Sequence, residues 1–152
     1  RILDTRKTTP TLRFLEKYAV KMGGGKNHRS SLSDMVLLKD NHLRLVGSIT
    51  KAVKMARATI NPGTKIEVEV TNFGQAKEAV KAGASMIMLD NMSLKQIRQV
   101  LAWVEGRVPV EVSGKVTLGR ARRIASLGVD FISVGSLTHS FTSVDISLEF
   151  KE

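Results

Sequence analysis

Six short apolar runs in this sequence end in polar or glycine residues, and those ends hold most of the side chains able to do chemistry. Ile2-Leu3 leads to Arg6-Lys7, where a guanidinium fork and an ammonium point charge could hold carboxylate or phosphate. Met35–Leu38 leads to Lys39-Asp40-Asn41-His42. Glu69 and Asp90 end the next two runs. Two hard oxygen ligands suit Mg²⁺, which is commonly held by few carboxylates plus substrate phosphates; they could equally stabilise a cationic centre. The last two runs end in Ser113-Gly114 and Gly135-Ser136, small residues whose backbone amides can reach a phosphate.

Each feature also has an ordinary explanation. Arg6 and Lys7 could be solvated charge, and the serine–glycine pairs could be plain turns. Gly23-Gly24-Gly25-Lys26-Asn27-His28-Arg29 has neither the spacing of a P-loop nor that of a dinucleotide fingerprint. Gly23 is explained as a helix terminator, but His28 and Arg29 behind the glycines are better explained as anion donors. Lys39 at the end of an apolar strand is costly unless it is used or paired with Asp40, Glu69 or Asp90. His42 is expected to be structural or exposed. His139 is the histidine placed to assist at the last strand end. Ser113 lacks a nearby histidine motif, which argues against a nucleophile. Three scattered histidines and no cysteine argue against zinc. Glu67 is placed on the opposite side of its strand from Glu69, toward the helices, paired with a basic helix residue. Trp103 and the methionines read as core.

The elements that must position these residues alternate in type. Thr9 and Pro10 offer a helix start, with Leu12, Leu15, Tyr18 and Met22 at helical spacing and Gly23 at the end. A single helix with Ile49, Ala52, Val53, Ala56 and Ile60 on one face is expected before the Asn61-Pro62-Gly63 break. Asn72 with Gln75, and Ser93 with Gln96, form capping boxes. Residues 82–89 resemble residues 127–134, an offset of two such units. Val144 to Phe150 alternates polar and apolar, as a half-exposed strand would. Strand–helix alternation predicts an α/β fold with a parallel sheet, its ligand at the carboxyl ends of the strands. A full barrel needs about 250 residues. The 152 residues here are therefore expected to form one partial, TIM-like barrel domain over residues 1–152, with about six βα units and a C-terminal strand.

Charge is concentrated toward the N-terminus. Of a formal net charge of +10, residues 1–60 hold +9. This favours an anionic partner. Aromatics are only 5% and do not interleave with the basic residues, which argues against nucleic acid. No apolar run reaches membrane-span length and no signal peptide opens the chain. Absence of cysteine fits a reducing cytoplasm.

Asp4-Thr5-Arg6-Lys7-Thr8-Thr9-Pro10, the segment Gly23 to Arg29, Leu38-Lys39-Asp40-Asn41-His42, Glu67-Val68-Glu69-Val70, Ile87-Met88-Leu89-Asp90-Asn91, Val112-Ser113-Gly114 and Ile132 to Ser140 occur in order. Together they resemble the quinolinate phosphoribosyltransferase family, also called nicotinate-nucleotide pyrophosphorylase (carboxylating). The resemblance implies a pentosyltransferase of NAD biosynthesis. Quinolinate and phosphoribosyl pyrophosphate would give nicotinate mononucleotide, pyrophosphate and CO₂, with Mg²⁺. It implies that Arg6, Lys7, His28 and Arg29 bind the quinolinate carboxylates. Lys39, Glu69 and Asp90 would serve ribose, pyrophosphate and metal, with Glu69 and Asp90 holding Mg²⁺ directly or through substrate. Ser113, Gly114, Gly135 and His139 would line the phosphate end. Lys7, Glu69 and Asp90 are the expected catalytic set. A cytoplasmic homodimer or higher homo-oligomer is implied, binding neither nucleic acid nor membrane. The family's N-terminal domain, which supplies an Arg to the partner's site, is absent from these residues. A catalytically silent fragment, or the related pyrophosphorylase-like protein associated with molybdenum transport, is the alternative. Two residues depart from the family's habit: Thr11 stands where glycine is usual, and Lys115 where glycine or asparagine is frequent.

Overall fold

The computed structural model describes residues 1–151. Among them, six strands alternate with seven helices. The order is β1 (Ile2–Leu3), α1 (Arg13–Met22), β2 (Val36–Leu38), α2 (Asp40–Val46), α3 (Ile49–Thr59), β3 (Ile66–Val70) and α4 (Phe73–Lys81). There follow β4 (Met86–Asp90), α5 (Leu94–Val104), β5 (Val110–Ser113), α6 (Leu118–Ala125), β6 (Phe131–Ser133) and α7 (Ser136–His139).

The strands form one parallel sheet in the order β1-β6-β5-β4-β3-β2. Each strand from β2 to β6 lies beside its sequence neighbour, and β6 then returns to pair with β1. That closure is the barrel topology with one seam left open, between β1 and β2. The seam is partly filled by Lys26, whose N–H donates to the Ile2 carbonyl at 2.9 Å and whose carbonyl accepts from the Asp4 N–H at 3.2 Å.

Alternation along the strands sorts the two faces. Val68, Val70, Ile87, Leu89, Val110, Val112 and Ile132 are buried against Ala52, Val53, Ala76, Ala79, Ile97, Val100 and Ile124 of the surrounding helices. The other face carries Glu67, Glu69, Met88, Asp90, Glu111 and Ser113 into the barrel. Residues two apart on a strand share a face, so Glu67 lies with Glu69 and not toward the helices. It is fully buried, and its partner is His28 rather than a basic helix residue.

Of the two expected capping boxes, Ser93 and Gln96 cap each other. Asn72 accepts from the Gln75 N–H at 3.0 Å, but the Gln75 side chain accepts from the Thr71 N–H at 2.8 Å and so does not complete the second box. Three other local expectations are corrected. Helix α1 starts at Arg13, not at Pro10, because the chain turns at Thr11 and the Glu16 carboxylate accepts from the Thr9 N–H at 3.1 Å. The helix expected after His42 is two helices, broken where Gly47 takes the left-handed conformation and Ser48 caps α3. Residues 141–151 form no strand. Val144, Ile146, Leu148 and Phe150 stand exposed, with no neighbouring strand to bury one face.

Thr11 and Lys115 both take positive φ, 68° and 46°. A β-branched residue is strained there by about 1–2 kcal/mol. Thr11→Gly is therefore expected to raise the free energy of unfolding by about 1 kcal/mol, seen as a higher chemical-denaturation midpoint, after the larger unfolded-state entropy of glycine is deducted. An unchanged or lowered midpoint would contradict the strain.

Candidate active site

The carboxyl ends of the six strands open into one cleft of about 1070 Å³. All eleven residues expected to bind substrate line it, from Arg6 and Lys7 on the β1 side to Gly135 and His139 after β6. A second cavity of about 520 Å³ shares Asp40, Glu69 and Asp90 with the cleft and runs along α2 to the starts of α3 and α4.

The β1 end is pinned through its backbone. The Arg13 guanidinium of α1 donates to the Arg6 carbonyl at 3.2 Å and to Thr8 Oγ1 at 3.1 Å. The buried Thr138 hydroxyl of α7 donates to the Lys7 carbonyl at 2.7 Å. The Arg6 and Lys7 side chains are left to the cleft, and Arg6 Nε is buried with no hydrogen-bond partner in the chain. Arg29 stands nearby, its Nη1 donating to the Met35 carbonyl at 3.0 Å. Burial, and next the Arg6 guanidinium, push the Arg29 pKa down from its ordinary value. Two guanidinium groups held together are mutually repulsive, and an anion between them relieves the repulsion.

Across the cleft, Glu69 and Asp90 end adjacent strands. Burial pushes the Glu69 carboxyl up; Lys39 opposes the rise and the Asp90 charge adds to it. Lys39 Nζ lies 4.0 Å from Glu69 Oε2. The Asn91 side-chain amide donates to Asp90 Oδ2 at 2.7 Å. Two hard carboxylates that already repel each other at a polar mouth fit Mg²⁺.

Gly114 is left-handed, with φ 95°. A Cβ there would lie 2.3 Å from Asn91 Oδ1 and 2.8 Å from the Asn91 backbone nitrogen. The close approach of the β4 and β5 ends thus requires glycine. Gly114→Ala is expected to displace Asn91 and its contact to Asp90, and to lower kcat/KM by about tenfold or more. Retention of full kcat/KM would show that the Asn91–Asp90 contact is dispensable. At Gly135 a Cβ would meet His139 Nε2 at 2.9 Å, so glycine admits that ring to the cleft edge. His139 Nδ1 contacts Ser140 Oγ at 2.7 Å.

His28 departs from its expected role. It borders the cleft but is only 8% exposed, and both ring nitrogens are engaged inside the chain. Nε2 lies 3.0 Å from Glu67 Oε2 and 3.4 Å from Glu111 Oε2. Nδ1 accepts from the Arg29 N–H at 2.8 Å. It is not a free donor to a ligand. Burial disfavours a charged ring, while the Glu111 and Glu67 carboxylates favour a proton at Nε2. Burial pushes Glu67 up to about 7, with the His28 hydrogen bond opposing and the Glu111 charge adding. The Arg29 N–H directed at Nδ1 leaves no place for a proton there, so the geometry puts the ring proton on Nε2, between the carboxylates. His42 is structural as expected, its Nδ1 accepting from the Lys39 N–H at 3.0 Å.

Glu111 and Asn91 line the cleft and were missed as parts of the site. Glu111 had a signal: it is flanked by Val110 and Val112 as Glu67 is by Ile66 and Val68, an acid on the inward phase of an apolar strand.

A parallel α/β barrel with charged side chains gathered in one cleft at the carboxyl ends of its strands has the arrangement of a small-molecule-binding barrel. Comparison with known proteins narrows the class. The family described as "Quinolinate phosphoribosyl transferase, C-terminal domain" matches residues 1–149, and the chain belongs to that family. It is 46% identical over 149 residues to the probable nicotinate-nucleotide pyrophosphorylase [carboxylating] of Bacillus subtilis, covering 98% of this chain and 52% of that protein. It superposes on the crystal structure of NadC from Streptococcus pyogenes with a TM-score of 0.94 at 49% identity, covering 99% of this chain and 53% of that one. A thiamine phosphate pyrophosphorylase from Pyrococcus furiosus, 19% identical with a TM-score of 0.58 over 89% of this chain and 84% of its own, shares the fold alone. The chain spans about half the length of the curated relatives it matches. No helix among the described residues is long and apolar enough to cross a membrane.

Proposed function

We propose that this barrel carries the phosphoribosyl-transfer site of a quinolinate phosphoribosyltransferase. The pairing of Arg6 with Arg29 opposite Glu69 and Asp90 in one cleft carries the reading. Two adjacent guanidinium groups suit adjacent carboxylates on a flat ring better than a single carboxylate. Lys7 and Lys39 extend the cationic wall toward the diphosphate. Ser113, Gly114 and Gly135 offer small residues and backbone amides to the 5′-phosphate, with His139 at its edge.

In this mechanism the pyridine nitrogen of quinolinate attacks the anomeric carbon of phosphoribosyl pyrophosphate, and the bond to pyrophosphate breaks. Glu69 and Asp90 stabilise the oxocarbenium-like ribose that develops because the bond to pyrophosphate breaks ahead of full bonding to the nitrogen. The carbon–carboxylate bond beside the ring nitrogen then breaks. CO₂ leaves, the electron pair stays on the ring carbon, and a proton from solvent replaces the carboxylate. Arg6, Arg29 and Lys7 hold the ring in place while that negative charge develops. When bound, Mg²⁺ would be held by Glu69 and Asp90 and would neutralise the leaving diphosphate.

We also propose a homodimer or higher homo-oligomer in the cytoplasm. Phe14, Leu15, Tyr18 and Met22 expose an apolar face on α1, which supports a subunit contact. Absence of cysteine is compatible with the location.

Calorimetric titration tests the dicarboxylate reading. Quinolinate is expected to bind at least tenfold more tightly than nicotinate, which lacks one carboxylate. Equal affinity for the two would contradict it.

A further inference from the structure

Every polar atom of His28 is committed inside the chain, from four different elements. Its backbone N–H donates to Asp4 Oδ1 at 2.8 Å, just beyond β1. Its carbonyl accepts from Lys17 Nζ of α1 at 3.0 Å, and Lys17 is itself buried and paired with Asp4. Its ring Nε2 faces Glu67 of β3 at 3.0 Å and Glu111 of β5 at 3.4 Å. That leaves Nδ1 to accept from the Arg29 N–H at 2.8 Å. Both glutamates are fully buried, and Glu67 Oε1 and both carboxylate oxygens of Glu111 lack a hydrogen-bond partner in the chain. A full barrel fills its interior with apolar layers. Here the seam segment is moored to β3 by the hydrogen bond between the His28 ring and Glu67, with the Glu111 carboxylate of β5 within ion-pair distance of the same nitrogen.

We infer that Glu67 and Glu111 are positioning residues, which fix the Nε2–H tautomer of His28 so that its Nδ1 holds the Arg29 backbone at the cleft. The logic is that of a carboxylate orienting an imidazole for work at its other nitrogen. Neither glutamate needs to touch a ligand. Their effect reaches the cleft through the place at which Arg29 leaves the seam. The affinity consequence rests on the dicarboxylate site proposed above, whereas the tautomer does not.

The test is ¹⁵N NMR of histidine-labelled protein, with His28 assigned by loss of its signals in His28→Gln. The wild-type chain is expected to show His28 with an unprotonated Nδ1 and an exchange-protected Nε2 proton, unlike exposed His139. Glu67→Gln combined with Glu111→Gln should release that proton to exchange and mix the tautomers. Circular dichroism reports whether the double variant folds; Glu111→Gln alone is the milder substitute. In a folded variant, quinolinate affinity measured by calorimetry should fall about tenfold, with phosphoribosyl pyrophosphate affinity unchanged. A wild-type His28 that exchanges freely or carries its proton on Nδ1 would overturn the inference. So would a folded variant that keeps both the wild-type spectrum and quinolinate affinity. If wild-type protein fails to bind quinolinate, the functional reading falls while the spectrum still decides the tie.

Discussion

Replacing Arg6 and Arg29 together by alanine is expected to abolish measurable quinolinate binding while leaving the barrel folded. Each guanidinium–carboxylate contact in a partly desolvated site contributes about 1.5–3 kcal/mol. Loss of both therefore costs roughly 10²–10⁴-fold in affinity. The fold should tolerate the change. What holds this region is the backbone: the Arg6 carbonyl receives Arg13, and the Arg29 N–H meets His28. The paired guanidinium groups repel each other, so removing one should relieve the other. Stability is thus expected to hold or rise as binding disappears, the pattern of a site that sacrifices stability for function. Unchanged quinolinate affinity in the double variant would remove the carboxylate assignment.

Glu69→Gln and Asp90→Asn are expected to act on turnover rather than on the dicarboxylate. In the proposed mechanism both carboxylates face the positive charge that develops on the ribose, and loss of one such stabilising group typically costs about 10²–10³ in kcat. Because the two face each other, the double variant should lose less than the product of the singles. Glu69→Gln should also stabilise the protein. The pKa of Glu69 is raised in the folded chain, chiefly by burial. A carboxyl with a raised folded pKa gives stability at low pH and loses it as pH rises through that pKa, so the ionised form is costly at neutral pH. Its neutral isostere removes that cost. A higher melting temperature together with a collapsed kcat is the expected signature. Full activity in either single variant would contradict the assignment.

The site was more legible than its supports. The Arg6, Lys39, Glu69, Asp90 and Gly114 ends converge because parallel strands point all their carboxyl ends one way, so polar residues that follow apolar runs must meet. The strands themselves were readable because β3, β4 and β5 are apolar on the helix-facing phase without interruption. The Val144–Phe150 alternation misled because period-two patterning needs a partner strand, which periodicity cannot supply. The break between α2 and α3 was hidden because Ile49, Ala52 and Val53 keep helical spacing whatever precedes Ser48. His28 has the composition of an anion donor. Only the fold shows that β3 and β5 aim Glu67 and Glu111 at its ring from 39 or more residues away.

The most direct test of the central claim is product formation. The chain is incubated with quinolinate, phosphoribosyl pyrophosphate and Mg²⁺, alone and together with the N-terminal portion of its relatives. The account predicts nicotinate mononucleotide, pyrophosphate and CO₂ in equal amounts in at least one of these mixtures, and none of them when Glu69→Gln and Asp90→Asn are combined. Absence of nicotinate mononucleotide from both wild-type mixtures would contradict it.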